Sequence, residues 1–148
     1  MKNVCVELID PIKNLEKVLY LLKLLNPEMT DSQIEKLLRQ MSQLSNYRCF
    51  GLFQEQKLIG ISSGWTTVRI YCGKQLELDN VIIDSRIQSK GFGKYFIDEI
   101  KRWAFTNEYQ SIGLNTYVQN ERSHKFYFNQ NFKILGFHFE QKLHQDRI

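Results

Sequence analysis

Residues 81–94 decide the fold of this chain, and they read Val81-Ile82-Ile83-Asp84-Ser85-Arg86-Ile87-Gln88-Ser89-Lys90-Gly91-Phe92-Gly93-Lys94. An apolar strand is followed by a polar loop, and two glycines then begin an amphipathic helix. The first backbone N–H groups of a helix have no partner within it and lie at the positive end of its dipole. A glycine loop folded over that end can hold a phosphate, with Arg86, Lys90 and Lys94 adding positive charge.

Two common phosphate-binding motifs do not match this stretch. The dinucleotide motif G-x-G-x-x-G requires a third glycine where this chain has Phe96. The nucleotide-triphosphate loop G-x-x-x-x-G-K-[ST] requires glycine where this chain has Gln88, and Ser or Thr where it has Tyr95. The stretch is therefore either a glycine turn that merely starts a helix or a phosphate loop of another class.

A second motif follows about 30 residues later, at residues 120–132. Asn120 begins a helix, and the pair Phe126-Tyr127 follows about seven residues on. Together with Gln88-x-x-Gly91-x-Gly93, this segment resembles the GNAT family of N-acetyltransferases, whose (Q/R)-x-x-G-x-(G/A) loop binds the pyrophosphate of coenzyme A. Two positions depart from the family pattern: Ser123 replaces another small residue, and Asn131 replaces a glycine at a left-handed turn, where Asn is the usual substitute.

The resemblance implies a mixed α/β (α+β) fold, the GNAT-like acyl-CoA N-acyltransferase fold. Its sheet is twisted and mostly antiparallel, splays in the middle and is flanked by helices. The hydrophobic periodicity agrees, because it predicts the order β-α-α-β-β-β-α-β-α-β, with a closing strand over Lys133 to Leu143. With 148 residues, 43% of them apolar, we expect a single N-acetyltransferase domain over residues 1–148.

The resemblance also implies which residues bind acetyl-CoA, the expected cosubstrate. The backbone of Val81, Ile82 and Ile83 would pair with the pantetheine arm like an added strand. A bulge at Asp79-Asn80 would free donors for the thioester oxygen. Asn120 would contact the pantetheine or cap its helix. The expected coenzyme-binding residues are Val81, Ile82, Ile83, Gln88, Ser89, Lys90, Gly91, Phe92, Gly93, Lys94 and Asn120.

Transfer of an acetyl group to an amine requires removal of a proton, because an amine like that of lysine has a pKa of ~10.4. By resemblance, Asp79 occupies the strand position of an acidic residue and is the expected base. Glu77, two residues earlier on the same face, is the alternative. The two carboxylates could instead be solvated, or could anchor the acceptor amine.

Tyr127 is the expected acid, because the resemblance places its phenol near the coenzyme sulfur. There it would protonate the departing thiolate or donate a hydrogen bond to it. Its alternative role is packing beside Phe126 and Phe128. No cysteine has the basic sequence neighbours of an activated nucleophile, so we expect direct transfer in a ternary complex.

Two other functions compete with acetyl transfer from acetyl-CoA to a primary amine, which belongs to a small molecule or a protein. One is a non-catalytic acyl-CoA sensor or interaction module that keeps the coenzyme loop. The other is a nucleic-acid-binding module, but a net charge of +4 is too small for a basic stripe and leaves both motifs unexplained.

The remaining expectations concern metal, compartment and assembly. His124, His138 and His144 lack ligand spacing, and the three cysteines lack a C-x-x-C motif, so neither a metal nor a disulfide is expected. We expect a cytoplasmic protein with no membrane partner, because no apolar run is long enough to cross a bilayer. Exposed edge strands and the aromatic-rich C-terminal strand are compatible with a homodimer.

Overall fold

The structure is a computed structural model that describes residues 1–87 and 91–144. Its chain forms two compact units, residues 1–114 and 115–148. The elements of the first unit are β1 (Val4–Leu8), α1 (Leu15–Leu25), α2 (Asp31–Ser42), β2 (Tyr47–Gln54), β3 (Lys57–Arg69), β4 (Gly73–Ile83), α3 (Phe92–Thr106) and β5 (Ser111–Leu114). The second unit contains α4 (Glu121–Asn129).

The five strands form one sheet in the order β1-β2-β3-β4-β5. Neighbouring strands are antiparallel, except that β4 and β5 are parallel. β5 pairs with β4 only from Gln75 to Leu78. Within the described part of the first unit, residues 79–83 therefore have no strand partner on that side. The predicted mostly antiparallel sheet is confirmed.

Helices α1 and α2 pack on one face of the sheet. The hydroxyl of Thr30 accepts a hydrogen bond from the backbone N–H of Gln33 at 3.2 Å, and the Gln33 side chain accepts one from the Thr30 N–H at 2.9 Å. These two bonds form a capping box, which fixes the start of α2. The core on this face consists of Val18, Leu21, Leu22, Ile34, Leu38, Tyr47, Cys49, Leu58 and Ile61.

Helix α3 packs on the opposite face, because consecutive strand residues point to opposite sides of a sheet. Cys49 lies in the core with α1 and α2, whereas the ring of its neighbour Phe50 contacts Trp103 of α3, with centroids 5.0 Å apart. The helix buries one stripe of its surface, formed by Phe92, Phe96, Ile97, Ile100 and Ala104. Along the chain, the N-terminus of α3 at Phe92 follows the end of β4 at Ile83.

The second unit is built around α4. The side chain of Asn120 accepts a hydrogen bond from the Ser123 N–H at 3.2 Å and caps the helix, as expected. Asn131 has a φ of 66°, which confirms the left-handed turn expected after α4.

The predicted closing strand over Lys133 to Leu143 is wrong, because residues 133–144 contain neither strand nor helix. A strand exists only when its backbone pairs with a neighbour, and alternation in the sequence cannot supply that neighbour. The apolar side chains of the segment are correspondingly exposed, with exposed fractions of 69% at Ile134 and 92% at Leu135.

Candidate active site

A β-bulge interrupts β4 at the position that the sequence predicts. Ser63 of β3 pairs with Asp79, whereas Ile61 pairs with Ile82, so β4 carries one additional residue between these pairs. Asn80 lies in this interval with a φ of 50°. A bulge bends the strand and leaves one residue outside the regular ladder, which redirects the backbone N–H and C=O groups beside it.

Asp79 stands at the edge of this bulge and is exposed. Its carboxylate accepts hydrogen bonds from the backbone N–H of Asn80 at 2.8 Å and from the Asn80 side-chain amide at 3.2 Å. These bonds fix the orientation of the carboxylate while leaving it open to solvent. Asp79 can therefore accept a proton from a molecule that approaches this face of the sheet.

Two hydroxyl groups lie next to Asp79 on the same face. The Ser63 hydroxyl is 3.3 Å from the phenol oxygen of Tyr47, and both residues are buried. Burial raises the pKa of Tyr47 well above its ordinary value, and the charges of Cys49 and Asp79 raise it further. The Tyr47 phenol therefore stays protonated. Sequence reasoning missed this pair, because Tyr47 is 32 positions from Asp79 and only the strand register brings them together.

Glu77 lies two residues from Asp79 and opposite Trp65 on β3. Its carboxylate forms an ion pair with the Arg69 guanidinium, with an N–O distance of 3.5 Å. The sequence made Asp79 the expected base and Glu77 the alternative, and the structure gives the two carboxylates different surroundings. Glu77 faces a cation, and no cation pairs with Asp79 among the described residues.

The N-terminus of α3 presents backbone N–H groups that have no hydrogen-bond partner within the helix. Gly91 precedes the helix with a φ of 97°, in the left-handed region that glycine adopts at least cost. No side chain of the described residues caps this end, and no acidic residue lies in the first turn. The N–H groups of Phe92, Gly93 and Lys94 precede the first intrahelical hydrogen bond, from Tyr95 to Gly91, so they are available to an anion.

The expected loop is described only in part. Gln88, Ser89 and Lys90 lie outside the described residues. Lys94, expected to contribute positive charge to a phosphate, forms an ion pair with Asp98 at 2.5 Å one turn along the helix. The exposed Lys94 ammonium is therefore already paired, and the backbone N–H groups are the main anion donors of the described residues.

Arg86, the other cation expected near the phosphate, belongs to a cluster that sequence reasoning missed. It pairs with Asp84, which is only 2% exposed and also pairs with Lys17 of α1. Hydrogen bonds from Arg86 hold the pKa of Asp84 below its ordinary range. Burial by itself would raise this pKa, and the hydrogen bond from Lys17 lowers it further. The sequence alone did not indicate this cluster, because Lys17 and Asp84 are 67 positions apart.

We predict that this carboxylate makes the protein sensitive to acid. A carboxyl group whose pKa falls on folding contributes stability above the unfolded pKa of ~3.9, and that contribution is lost as the pH falls towards the folded value. The free energy of unfolding should therefore drop between about pH 4.5 and pH 2.5, and the Asp84→Asn variant should show a shallower drop. Urea unfolding across this range measures both slopes, and equal slopes would contradict the prediction.

Tyr127 and Asn120 belong to the second unit. The Tyr127 ring packs between Phe126 and Phe132, with centroid distances of 5.1 Å and 5.5 Å. Burial raises the pKa of the Tyr127 phenol above its ordinary value, so the phenol carries a proton at neutral pH. Packing and proton donation are both compatible with this position.

The cysteines and histidines show no sign of catalysis or metal binding. Burial raises the pKa of the Cys49 thiol to about 11, which keeps it protonated, while Cys5 is exposed and Cys72 is half-buried. The described residues contain no group of three or more His, Cys, Asp or Glu side chains that could hold a metal ion. None of the helices in residues 1–87 and 91–144 is long and apolar enough to cross a membrane.

Comparison with known proteins relates the chain to N-acetyltransferases. A Bacillus subtilis protein described as the uncharacterized N-acetyltransferase YhdJ is 25% identical over 117 residues, which cover 77% of this chain and 80% of that protein. The aminoglycoside N-acetyltransferase AAC(6')-Iy in complex with CoA shares the fold, with a TM-score of 0.78 and 17% identity over 95% of each chain. A ribosomal-protein-alanine N-acetyltransferase from Brucella melitensis does so with a TM-score of 0.78 and 15% identity, over 95% of this chain and 99% of that one.

The family profile itself decides the assignment. The profile of the acetyltransferase (GNAT) family matches residues 18–132 and therefore spans β2 to β5, α3 and α4. It covers both motifs that the sequence suggested. The chain belongs to the GNAT family and is an acetyl-CoA-dependent acetyltransferase.

Proposed function

We propose that the protein transfers the acetyl group of acetyl-CoA directly to a primary amine in a ternary complex. One observation carries the proposal. The bulged half of β4, residues 79–83, has an open edge in the first unit and leads towards the uncapped N-terminus of α3. A strand edge that can pair with an extended amide chain, followed by a helix start that can hold an anion, suits the pantetheine diphosphate of coenzyme A.

The pantetheine arm would pair with the backbone of Val81, Ile82 and Ile83. Its amide groups can add to the open edge of β4 like another strand, and a backbone N–H beside the bulge would face the thioester oxygen. The diphosphate would bind the N–H groups at Phe92, Gly93 and Lys94, next to Gly91. Gln88, Ser89 and Lys90 remain predicted members of this loop, and Asn120 remains a predicted contact of the pantetheine.

Asp79 is the proposed base, in preference to Glu77. Its carboxylate is exposed and held by Asn80, whereas the carboxylate of Glu77 is engaged in an ion pair with Arg69. In the reaction, the amine nitrogen forms a bond to the thioester carbon and the carbon–sulfur bond breaks. The amine proton passes to Asp79, directly or through water, and the sulfur leaves as a thiolate.

Tyr127 is the proposed acid group at the leaving sulfur. Its raised pKa keeps the phenol protonated, so that it can donate a hydrogen bond to the departing thiolate. Complete transfer of the proton is uphill, because a free thiol with a pKa of ~8.5 is the stronger acid. Since a thiolate is already a tolerable leaving group, the acid is useful but not essential.

We predict that Tyr127→Phe lowers kcat by about 10- to 100-fold with little change in the KM for acetyl-CoA. The phenyl ring preserves the contacts with Phe126 and Phe132, so stability should stay near that of the parent. Tyr117→Phe is the matched control, because Tyr117 lies in the same unit with 79% of its surface exposed. Parental kcat in Tyr127→Phe would reduce Tyr127 to a packing residue.

The acceptor class stays broad. The structural relatives act on different amines by name, an aminoglycoside in one case and the alanine of a ribosomal protein in the other. The fold therefore accommodates small-molecule and protein amines alike. We propose a single catalytic domain over residues 1–148, located in the cytoplasm, where acetyl-CoA is available.

Thiol release tests the proposal directly. The protein is incubated with acetyl-CoA and a panel of small amines, aminoglycosides, polyamines and peptides with free N-termini or lysines. Amine-dependent release of free CoA supports an acetyltransferase. Tight binding of CoA by calorimetry, with no release across the panel, would instead favour an acyl-CoA sensor.

A further inference from the structure

A buried carboxylate joins α1 to the segment that leads from β4 to α3. Asp84 directly follows the last residue of β4, and its backbone N–H donates a hydrogen bond to the Ile59 carbonyl at 2.7 Å. Its side chain accepts hydrogen bonds from the Lys17 ammonium at 2.5 Å and from the Tyr20 phenol at 3.2 Å. Both donors lie on α1, so one carboxylate fixes the end of the strand against that helix.

The same carboxylate also closes the turn that follows. It accepts hydrogen bonds from the Arg86 backbone N–H at 3.0 Å and from the guanidinium at 3.2 Å and 3.0 Å. The Ile87 N–H donates to the Asp84 carbonyl at 2.9 Å, which completes the turn. The direction in which the chain leaves β4 is therefore set by this one side chain.

Two cations surround the Tyr20 ring at the centre of the cluster. The Lys17 nitrogen and the guanidinium carbon of Arg86 each lie 4.6 Å from the ring centroid. Cation–π attraction adds to the ion pairs and fixes the positions of both long side chains. The cluster thus has a defined geometry, although a buried ion pair by itself is weak evidence for stability.

The cluster lies close along the chain to the open end of α3. Only four residue steps separate Ile87 from Gly91, and a chain of that length spans at most about 15 Å. A shift of the turn at residues 84–87 would therefore displace the point from which the chain runs towards the start of α3. A movement of α1 would reach the turn through Lys17 and Tyr20.

We propose that Asp84 is a positioning residue for acetyl-CoA, which couples α1 to the backbone donors at the start of α3. This inference rests on the proposed function, because it assumes that these donors bind the coenzyme. Asp84 itself does not touch the coenzyme. It holds the turn at residues 84–87 so that the donors keep the geometry that the diphosphate requires.

The test compares variants that break the cluster at different points. Asp84→Asn removes the shared charge, whereas Lys17→Met removes the charged one of the two ties to α1 and leaves Asp84 bonded to Tyr20 and paired with Arg86. We expect the KM for acetyl-CoA and the Kd for CoA to rise about 10-fold in Asp84→Asn and about 3-fold in Lys17→Met, with kcat at saturating acetyl-CoA within about twofold of the parent. If Asp84→Asn does not fold, Lys17→Met decides the test.

Leu38→Ala in α2 serves as the matched control for stability. Leu38 is buried in the core beside α1 and makes no contact with the charged cluster through a hydrogen bond or ion pair. We expect this variant to lower Tm while leaving the KM and the Kd unchanged. Unchanged or lower KM and Kd in Lys17→Met and Asp84→Asn, at temperatures where both are folded, would overturn the inference.

The same measurements separate this inference from the proposed function. If the parent protein binds no CoA, the proposed coenzyme site itself fails. If the parent binds CoA and the variants bind it equally well, the coenzyme site stands and only the positioning role of Asp84 is lost.

Discussion

Replacing Gly91 with glutamate should abolish coenzyme binding while leaving the fold intact. We expect the Kd for CoA to rise about 100-fold or more, which corresponds to at least ~2.7 kcal/mol. The reason is local, because Gly91 immediately precedes the backbone donors that would hold the diphosphate. A glutamate there places a side chain and a negative charge beside the anion.

The fold should tolerate this change for two reasons. Among the described residues, a Cβ atom at Gly91 would meet only the flexible end of the Met1 side chain, at 3.5 Å. The φ of 97° strains any residue with a side chain, at a cost of roughly 1–2 kcal/mol. A carboxylate at a helix N-terminus recovers about 0.3–1 kcal/mol of that cost through the helix dipole.

Gly91→Gln is the matched control, because glutamine has the same size and suffers the same backbone strain without the charge. We expect its Kd to rise about 10-fold, so that the difference between the two variants measures the repulsion of the diphosphate. Calorimetric titration with CoA gives both values, and thermal unfolding checks the fold. Parental affinity in Gly91→Glu would refute the assignment of the diphosphate to this helix end.

Replacing Asp79 with asparagine should lower kcat at neutral pH by about 100- to 10,000-fold, the usual contribution of a general base. Asparagine retains an oxygen that can accept the hydrogen bond from the Asn80 N–H, so the bulge should survive. What is lost is the ability to take the proton from the attacking amine.

The pH dependence identifies the cause of that loss. An amine with a pKa of ~10.4 supplies more free base as the pH rises, so the rate of the variant should increase about tenfold per pH unit. The gap between variant and parent should therefore narrow at alkaline pH. A pH–rate profile identical to that of the parent would remove Asp79 from the role of base.

Glu77→Gln is the matched control for Asp79→Asn. Glutamine keeps the length of the side chain and loses the charge that pairs with Arg69, and this ion pair is partly exposed and contributes little. We expect near-parental kcat. A large loss in Glu77→Gln with parental activity in Asp79→Asn would exchange the proposed roles of the two carboxylates.

Local signals in the sequence were sufficient for most of the fold. The helical periodicity of α1, α2 and α3 and the alternation in β2, β3 and β4 are properties of neighbouring residues. The capping box at Thr30 and the left-handed turn at Asn131 depend on single side chains and their immediate backbone. The segment at residues 133–144 alternates equally well, but a strand requires a partner, and alternation does not provide one.

The sequence by itself determined the family, the coenzyme and the glycine at the start of α3, because each follows from residues close together along the chain. Only the tertiary structure decided which carboxylate faces a cation, since Arg69 reaches Glu77 across a hairpin. Only the tertiary structure brought Lys17 to Asp84, which requires α1 to pack against the sheet. Charged residues that are far apart in the sequence can lie close together in the fold, and the sequence pattern does not show which of them do.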